Sequence, residues 1–490
     1  MFKDRVLKWP FIVTAPLLAA GFAMSSFFTG TDTLWFAPPL VCIYMMAALV
    51  FAPGFRDGWA IPKTATVGLA VMFGLYVAVS AFWSTAPYIS ILFAFVLTAL
   101  PVLFVVLICA PDRGFSVRGH MAALFVVLCG LAVWALIQFF FLYEIHGPRI
   151  HHPMLSPNNL AALFMIGLFT ALGLLVRAEK TGAVLGAYGL VFLMLMALVV
   201  TQSRGGMIFS TVALAVFVLT LRRYPGLRWR KVGAVAGTAA FCLYTVNFFS
   251  KGYLAGNLSG LAVATQIHSM TDRLSLYESS LAILRDHFWG GIGLGTFYFT
   301  YPAYRKPIDF SDGYFAHMDP LQYGLEMGII APVLFYGVLI AVLWRTIRAV
   351  WRLPRESGLR VEIMAAFCAM LAVLIHTHID FHLYILVSLI AMAVPLAWWY
   401  VATEEALGDT RVNIRPPQGP PLVWQGLMVV CLALLLNWPV RAALTTVHFP
   451  PAQKALDAGN FAEAEERLKA MQAYAPRNSY RIYQYLGRVG

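Results

Sequence analysis

Apolar residues in this chain neither alternate nor keep to one helical stripe. They run on for about 16 to 24 residues and then stop at short polar clusters. A run of that length, wound as a helix, crosses roughly 30 Å of hydrocarbon. Thirteen runs follow one another, near residues 11–28, 34–52, 65–83, 89–109, 120–143, 157–176, 184–201, 206–221, 231–249, 321–344, 361–379, 383–402 and 424–446. They are dominated by Leu, Val, Ala and Phe without period-2 alternation, which predicts helices rather than barrel strands. The expected class is an all-α, polytopic membrane protein.

The polar clusters alternate in character. One set holds Lys3, Arg5 and Lys8, then Arg56 and Lys63, Arg113 and Arg118, Arg177 and Lys180, RRYPGLRWRK (222–231), WRTIRAVWRLPR (344–355) and the 403–423 linker. The other holds GTDT (30–33), STAP (84–87), EIHGPRIHHPMLSP (144–157), QSRG (202–205), the 250–320 segment and HTHIDFH (376–382). Basic residues concentrate in the first set, which is therefore expected on the cytoplasmic side of an inner membrane. The N-terminus then lies inside, and thirteen spans put the C-terminus outside. MFKDRVLKWP resembles a signal-peptide start, but no small-residue cleavage site follows, so a retained first helix is expected.

Composition agrees with this reading. The chain is 60% hydrophobic and 12% charged, about half the charged fraction of ordinary soluble domains. Its net charge of +12 would suggest nucleic acid in a soluble protein. Here the loop asymmetry accounts for it, and no nucleic-acid partner is expected. Cys42, Cys109, Cys129, Cys242, Cys368 and Cys431 lie in or beside apolar runs with no metal-ligand spacing, so they read as small apolar residues.

Two segments stand apart. The 250–320 loop carries Gly, Pro and most of the outer charges, and loops of this length in compact architectures are usually functional or disordered. The tail PPAQKALDAGNFAEAEERLKAMQAYAPRN resembles one tetratricopeptide unit, through Ala455, Ala458, Gly459, Phe461, Ala462, Ala464, Leu468 and Pro476. One unit cannot bury its own faces, so it is expected to pack on something or to be part of an incomplete array, with a protein partner for the tail as a further expectation. The expected division is a membrane unit over 1–447 and an outer tail over 448–490.

Candidate chemistry lies in four outer constellations, because ionisable groups at a membrane are costly and their placement needs a reason. In VVTQSRGGMIFS (199–210), Arg204 is either a snorkelling arginine or an anion clamp, since a guanidinium holds phosphate bidentately. Gly205 and Gly206 are expected to let the chain reverse and another group come close. In MTDRLSLYESSLAILRDHFWGGIGLGTF (270–297), Arg273 starts a helix whose apolar face is expected at Leu274, Tyr277, Leu281 and Leu284. Arg273 either answers Asp272 or meets substrate. The glycines follow a helix rather than a strand, which favours a tight turn over a phosphate loop. In YFAHMDPLQYGLEMGI (314–329), His317 sits at the surface near Asp319, with Glu326 deeper in the helix; a histidine there is structural or acts as a base. In HTHIDFH, the pairs His376/Asp380 and His378/His382 are each expected on one helix face. A polar helix end facing an outer cavity is expected, with a zinc or manganese site as the alternative.

Taken together, these groups suit an enzyme whose activated donor arrives already in the bilayer, because neither nucleotide sugars nor ATP occur outside an inner membrane. A lipid-linked pyrophosphate sugar fits, with arginines neutralising the departing pyrophosphate. PNNLAA (157–162), SRGG, DRLSLYESSLAILRDHFWGGIGLGTF and AHMDPLQYGLEMGI, in this order around a long outer loop, resemble the O-antigen ligase and polymerase superfamily across roughly residues 60–400. The resemblance implies a metal-independent, inverting membrane glycosyltransferase with no cofactor. It would take glycan from undecaprenyl pyrophosphate and pass it to lipid A core, a growing glycan or a protein hydroxyl. It assigns Arg204 and Arg273 to the pyrophosphate and His317 to the acceptor hydroxyl. Arg149, Arg305, Glu326, Asp319 and Asp380 follow as weaker substrate contacts. Where the family often has His-Asn, this chain has His317-Met318-Asp319. The thirteenth run and the tail are similar to members with outer C-terminal extensions, including polymerases and protein O-glycosylating enzymes. A lipid-linked glycan transporter would need related halves and polar groups at mid-membrane, and a scaffold would act through its tail.

Overall fold

The computed structural model describes residues 9–28, 37–110, 113–154, 156–259, 263–307, 309, 313–447, 449–474 and 487. Lys3, Arg5 and Lys8, the GTDT loop, Pro476, the Asp272 side chain and nearly all of YRIYQYLGRVG lie outside the described residues. The protein is an all-α, polytopic membrane protein. Among the described residues, twelve helices are long and apolar enough to cross a membrane. A further apolar helix, α1 (Trp9–Phe28), precedes them.

Numbering only helices of nine residues or more, the next are α2 (Ala37–Phe51), α3 (Ala65–Ser80), α4 (Pro87–Cys109), α5 (Arg113–Phe141), α6 (Pro157–Arg177), α7 (Thr181–Val200), α8 (Arg204–Leu221) and α9 (Trp229–Phe249). The long loop contributes α10 (Val263–Asp286) and α11 (Asp319–Met327). Then come α12 (Ile330–Arg352), α13 (Gly358–His376), α14 (Leu386–Leu407), α15 (Pro421–Val447), and the tail pair α16 (Phe449–Asp457) and α17 (Phe461–Tyr474). Most expected runs are met within a few residues.

The bundle is built around α6 and α14, whose spans are each 94% buried, against 6% for α15. Small residues make this possible, because lipid supplies no hydrophobic drive between helices and close backbone approach must. A Cβ on Gly173 in α6 would stand 2.8 Å from the Ala365 Cβ in α13. A two-stranded antiparallel ribbon, β1 (Trp59–Pro62) with β2 (Arg411–Ile414), closes the face where α4 ends and α5 begins.

Three expectations are corrected. The run over 321–344 is not one helix; α11 and α12 part at Gly328, whose φ is +82°. A Cβ there would meet the Trp289 carbonyl oxygen at 1.9 Å. The helix also breaks because α11 buries Asp319, Gln322 and Glu326 among polar partners rather than in hydrocarbon. In α10 the inward face is Ser275, Leu276, Ser279, Ser280 and Ile283, while Leu274 and Leu281 are 60% and 56% exposed. Apolar spacing alone pointed to the wrong side, because the loop's own core takes the serine-rich face. Finally, HTHIDFH is not helical throughout: α13 ends at His376 and residues 377–385 form turns.

In the tail, α16 and α17 form a hairpin turning at Gly459, with Ala452, Ala455, Ala464, Leu468 and Met471 buried. It rests on α15, where Arg441 Nε donates to the Tyr474 carbonyl at 2.9 Å.

Candidate active site

The ends of α5, α7 and α13 and the starts of α6, α8, α12 and α14 share one face with the long loop. The turn between α7 and α8 is made by Gln202, not by glycine. Gln202 holds φ +52°, an uncommon conformation for a residue with a side chain. Its amide donates to Val199 O at 2.9 Å, its Nε2 donates to Pro148 O at 2.6 Å, and its carbonyl accepts from Asn257 Nδ2 at 3.0 Å. Ser203 then caps α8, accepting the Gly206 amide at 3.1 Å. Gly205 and Gly206 therefore lie inside the helix. A Cβ on Gly205 would sit 2.4 Å from His376 Nε2, and one on Gly206 2.9 Å from the Ala161 Cβ. The group that comes close at these glycines is the protein's own histidine and helix α6, which corrects the expected reversal.

Arg204 is exposed at the start of α8. Arg149 is brought to it because Pro148 accepts from Gln202 and the Ile150 amide donates to Val200 O at 3.3 Å. Arg149 Nε is buried and has no hydrogen-bond partner. Burial presses this guanidinium below the ordinary arginine value; the Arg204 charge adds to that, and Tyr253 and Asp380 oppose it. Two guanidiniums within each other's field favour an anion between them.

His317 holds φ +50°, and such strain tends to persist where surrounding contacts over-determine it. The Tyr277 hydroxyl donates to the His317 carbonyl at 3.2 Å, and the Ala316 amide donates to Gln322 Oε1 at 2.8 Å. The imidazole stands edge-on to Phe381, with ring centroids 5.0 Å apart. His317 Nδ1 donates to Asp380 Oδ1 at 3.2 Å. With that proton on Nδ1, Nε2 carries the lone pair. Asp380 is buried and also accepts from Asn158 Nδ2 and, at 2.9 Å, from the Phe381 amide. Asn158 Oδ1 in turn accepts from Ser203 Oγ at 2.6 Å. A continuous chain thus runs from His317 through Asp380, Asn158 and Ser203 to the residue preceding Arg204.

The two aspartates are pushed in opposite directions. Burial works against a charge on Asp380, but the interactions led by the His317 hydrogen bond outweigh it and hold its carboxyl well below the usual range. Burial drives Asp319 well above that range, with Asp380 adding to the effect. Asp319 Oδ2 accepts from the His382 and Leu383 amides at 2.9 and 2.8 Å, while Oδ1 has no partner. Asp319 thereby fastens the 382–383 turn, and Asp380 carries the charge beside His317.

Beneath this pair, His382 Nδ1 donates to Asn159 Oδ1 at 3.0 Å, and burial lowers the imidazole to about 4, so it is neutral. The His376 and His382 rings lie 4.3 Å apart. His376 Nδ1, His382 Nε2 and Asn159 Nδ2 are buried without hydrogen-bond partners. The expected helix-face pairing of His376 with Asp380 gives way to this arrangement, because the chain leaves the helix at Thr377. Among the described residues, no three His, Cys, Asp or Glu side chains are grouped as a metal ion would need.

The remaining candidates are elsewhere. Glu326 is fully buried and accepts from the Gly295 amide at 2.8 Å, the Phe297 amide at 3.4 Å, Gln322 Nε2 at 3.1 Å and the Tyr384 hydroxyl at 2.8 Å. It pins the GGIGLGTF turn to α11, and the two amides it uses are then closed to a phosphate. Arg305 donates to Asp309 O at 3.2 Å and stands over the Tyr301 ring, in the loop's separate small core. Arg273 begins the described part of the α10 surface and acts electrostatically on Tyr277, the residue that holds the His317 carbonyl. Sequence reasoning assigned no chemical role to Asn158, Asn159 or Ser203, and placed Tyr277 only on an apolar helix face. The signal was there for the first two, since paired asparagines opening the most buried helix have no apolar purpose.

The fold and this face define a polytopic membrane protein whose arginines, histidine and buried aspartate converge at one surface. The O-antigen ligase family model matches residues 189–336. That match supports membership of the O-antigen ligase superfamily, and with it a glycan-transfer function of the ligase or polymerase type. It spans Arg204, Arg273 and His317, whereas Arg149, Asn158 and Asp380 lie outside it. No curated protein matches the chain.

Proposed function

We propose that this protein moves a glycan from an undecaprenyl-pyrophosphate carrier to an acceptor hydroxyl at the outer face of a bacterial inner membrane, in the manner of an O-antigen ligase. His317 is the base, Asp380 positions it, and Arg149, Arg204 and Arg273 hold the pyrophosphate. The observation that carries this reading is the chain from His317 Nδ1 through Asp380 and Asn158 to Ser203, the residue preceding Arg204. It ties the proton acceptor to the cap of the helix on which the anion holder sits.

The reaction follows from these roles. The acceptor oxygen attacks the anomeric carbon as its proton passes to His317 Nε2. The bond from that carbon to the pyrophosphate oxygen breaks, and the electron pair leaves on undecaprenyl pyrophosphate. Asp380 stabilises the imidazolium that forms, as a buried carboxylate does in other base dyads. The guanidiniums meet the charge that grows on the leaving phosphate. Attack opposite the leaving group inverts the anomeric centre, and no step calls on a metal or cofactor.

In this reading residues 1–447 carry the chemistry and residues 448–490 meet a protein partner outside the membrane. Glu326 and Asp319 position backbone rather than substrate. A transporter is disfavoured because the candidate groups gather at one face rather than at mid-membrane. The test is His317→Ala in a strain lacking the native gene, read by glycan analysis with the chelator EDTA as a second arm. Loss of transfer at normal protein level, and wild-type activity in chelator, are expected; wild-type glycan in the variant overturns the assignment. Loss of all capped lipid A marks a ligase, single-unit capping a polymerase, and loss of protein glycosylation alone a protein oligosaccharyltransferase.

A further inference from the structure

On the face opposite His317, α8 ends at Leu221 and α12 at Arg352. Between these ends lies a cavity of about 240 Å³, lined by Arg222, Arg223, Arg355 and Arg360 with Tyr224 and Trp351. The four arginines come from three places: RRY after α8, Arg355 in the loop after α12, and Arg360 at the start of α13. Loop charge on this side follows from topology; convergence of four guanidiniums on one hollow does not.

Their state differs from that of other arginines on the same face. Among the described residues no acid forms an ion pair with any of the four, and their one side-chain hydrogen bond runs from Arg360 Nη1 to the Leu353 carbonyl at 3.5 Å. Arg355 lies within the field of Arg360 and repels it, with Glu356 nearby as a weak counterweight. Arg118, Arg345 and Arg411 on this face each hold carboxylates. An unneutralised cluster around a hollow calls for an anion, and several planar guanidiniums suit phosphate oxygens.

The rim says which phosphate. Leu219 is 63% exposed and Trp351 79% exposed, at helix ends where tryptophan marks the membrane interface. A phosphate headgroup could enter with its acyl chains still beside these side chains, and basic hollows between helix ends hold anionic headgroups. We propose that this cavity binds the headgroup of an anionic membrane phospholipid. The inference is independent of glycan transfer.

The test uses the full chain in detergent, stripped of lipid and incubated with phosphatidylglycerol or phosphatidylcholine, with retained lipid read by native mass spectrometry. Wild type is expected to keep phosphatidylglycerol at least about tenfold more tightly than the variant Arg222→Gln/Arg223→Gln/Arg355→Gln/Arg360→Gln. Equal retention by the two overturns the proposal. Glycerol phosphate and inorganic phosphate form the second arm; displacement at concentrations matching the lipid would assign the site to a free anion and overturn the lipid reading. If the variant does not fold, photo-crosslinkable phosphatidylglycerol on wild type decides. Adducts on 219–224 or 350–360 are expected, and their absence there overturns it.

Discussion

On the face away from His317, Arg411 grips Glu404 through two nitrogens at 2.9 and 3.0 Å and donates to two carbonyls besides. Arg118 bridges Glu362 and Glu405, and Trp398 adds a bond to Glu362 at 2.6 Å. On the His317 face, Arg149 lies half-buried with Nε unpartnered, above three ring or amide nitrogens in the same condition. The same residue type closes the structure at Arg118 and Arg411 and leaves a buried donor open at Arg149. Saturated partners mark groups that hold the bundle together, while buried polar atoms without partners cost stability and so point to another use.

That contrast can be broken at several points. Asp380→Asn keeps the shape but removes the charge beside His317, and should lower transfer by about 10²–10⁴-fold with little change in unfolding temperature. A stability loss that accounts for the whole effect would make Asp380 a structural residue. Arg118→Ala should do the reverse. It strips the main partner from Glu362, whose side chain is 7% exposed, and should cost about 2–3 kcal/mol, toward the low end because Arg118 is itself 38% exposed. Activity per folded molecule should stay at wild type in a reconstituted assay, and a drop there would erase the distinction between the Arg118 network and the His317 site.

The buried histidine layer sharpens the comparison through pH. Folded His382 titrates near 4 and unfolded histidine near 6.5. Above pH 6.5 both states are neutral and the contribution is complete. As pH falls from 6.5 toward 4 only the unfolded state gains a proton, so up to about 3 kcal/mol is lost. Thermal unfolding of wild type should fall across this window, and His382→Gln should flatten the fall; parallel curves would count against a neutral buried His382. The smallest effect concerns Gly205→Ala. The added methyl meets His376, and overpacking should cost about 1–2 kcal/mol and reduce transfer several-fold with Arg204 intact. Unchanged activity would detach the His376 layer from the site.

Much of this was legible along the chain. Apolar run length placed nearly every helix, since a membrane demands a continuous hydrophobic stretch whatever the partner. Arg204, Arg273 and His317 stood out because charge beside such runs needs a cause. Direction was harder to read. Leu274 and Leu281 have helical spacing yet face outward, because an interfacial helix has two environments that welcome leucine. Gly205 and Gly206 sit at an expected turn but serve packing, because a glycine's role depends on what approaches it, and that neighbour is 171 residues further on in the case of His376.

The sequence by itself determined the class of the protein, its helices, the sorting of basic residues to one set of loops, and the few charges worth asking about. These follow from local composition meeting a slab of hydrocarbon. Only the tertiary structure decided that Asp380 rather than Asp319 faces His317, that Asn158 and Ser203 link it to Arg204, and that Glu326 is bound up in a turn. Each of those outcomes rests on hydrogen bonds between distant segments and on burial, which sets whether a carboxyl keeps its charge. Neither is encoded in spacing along the chain.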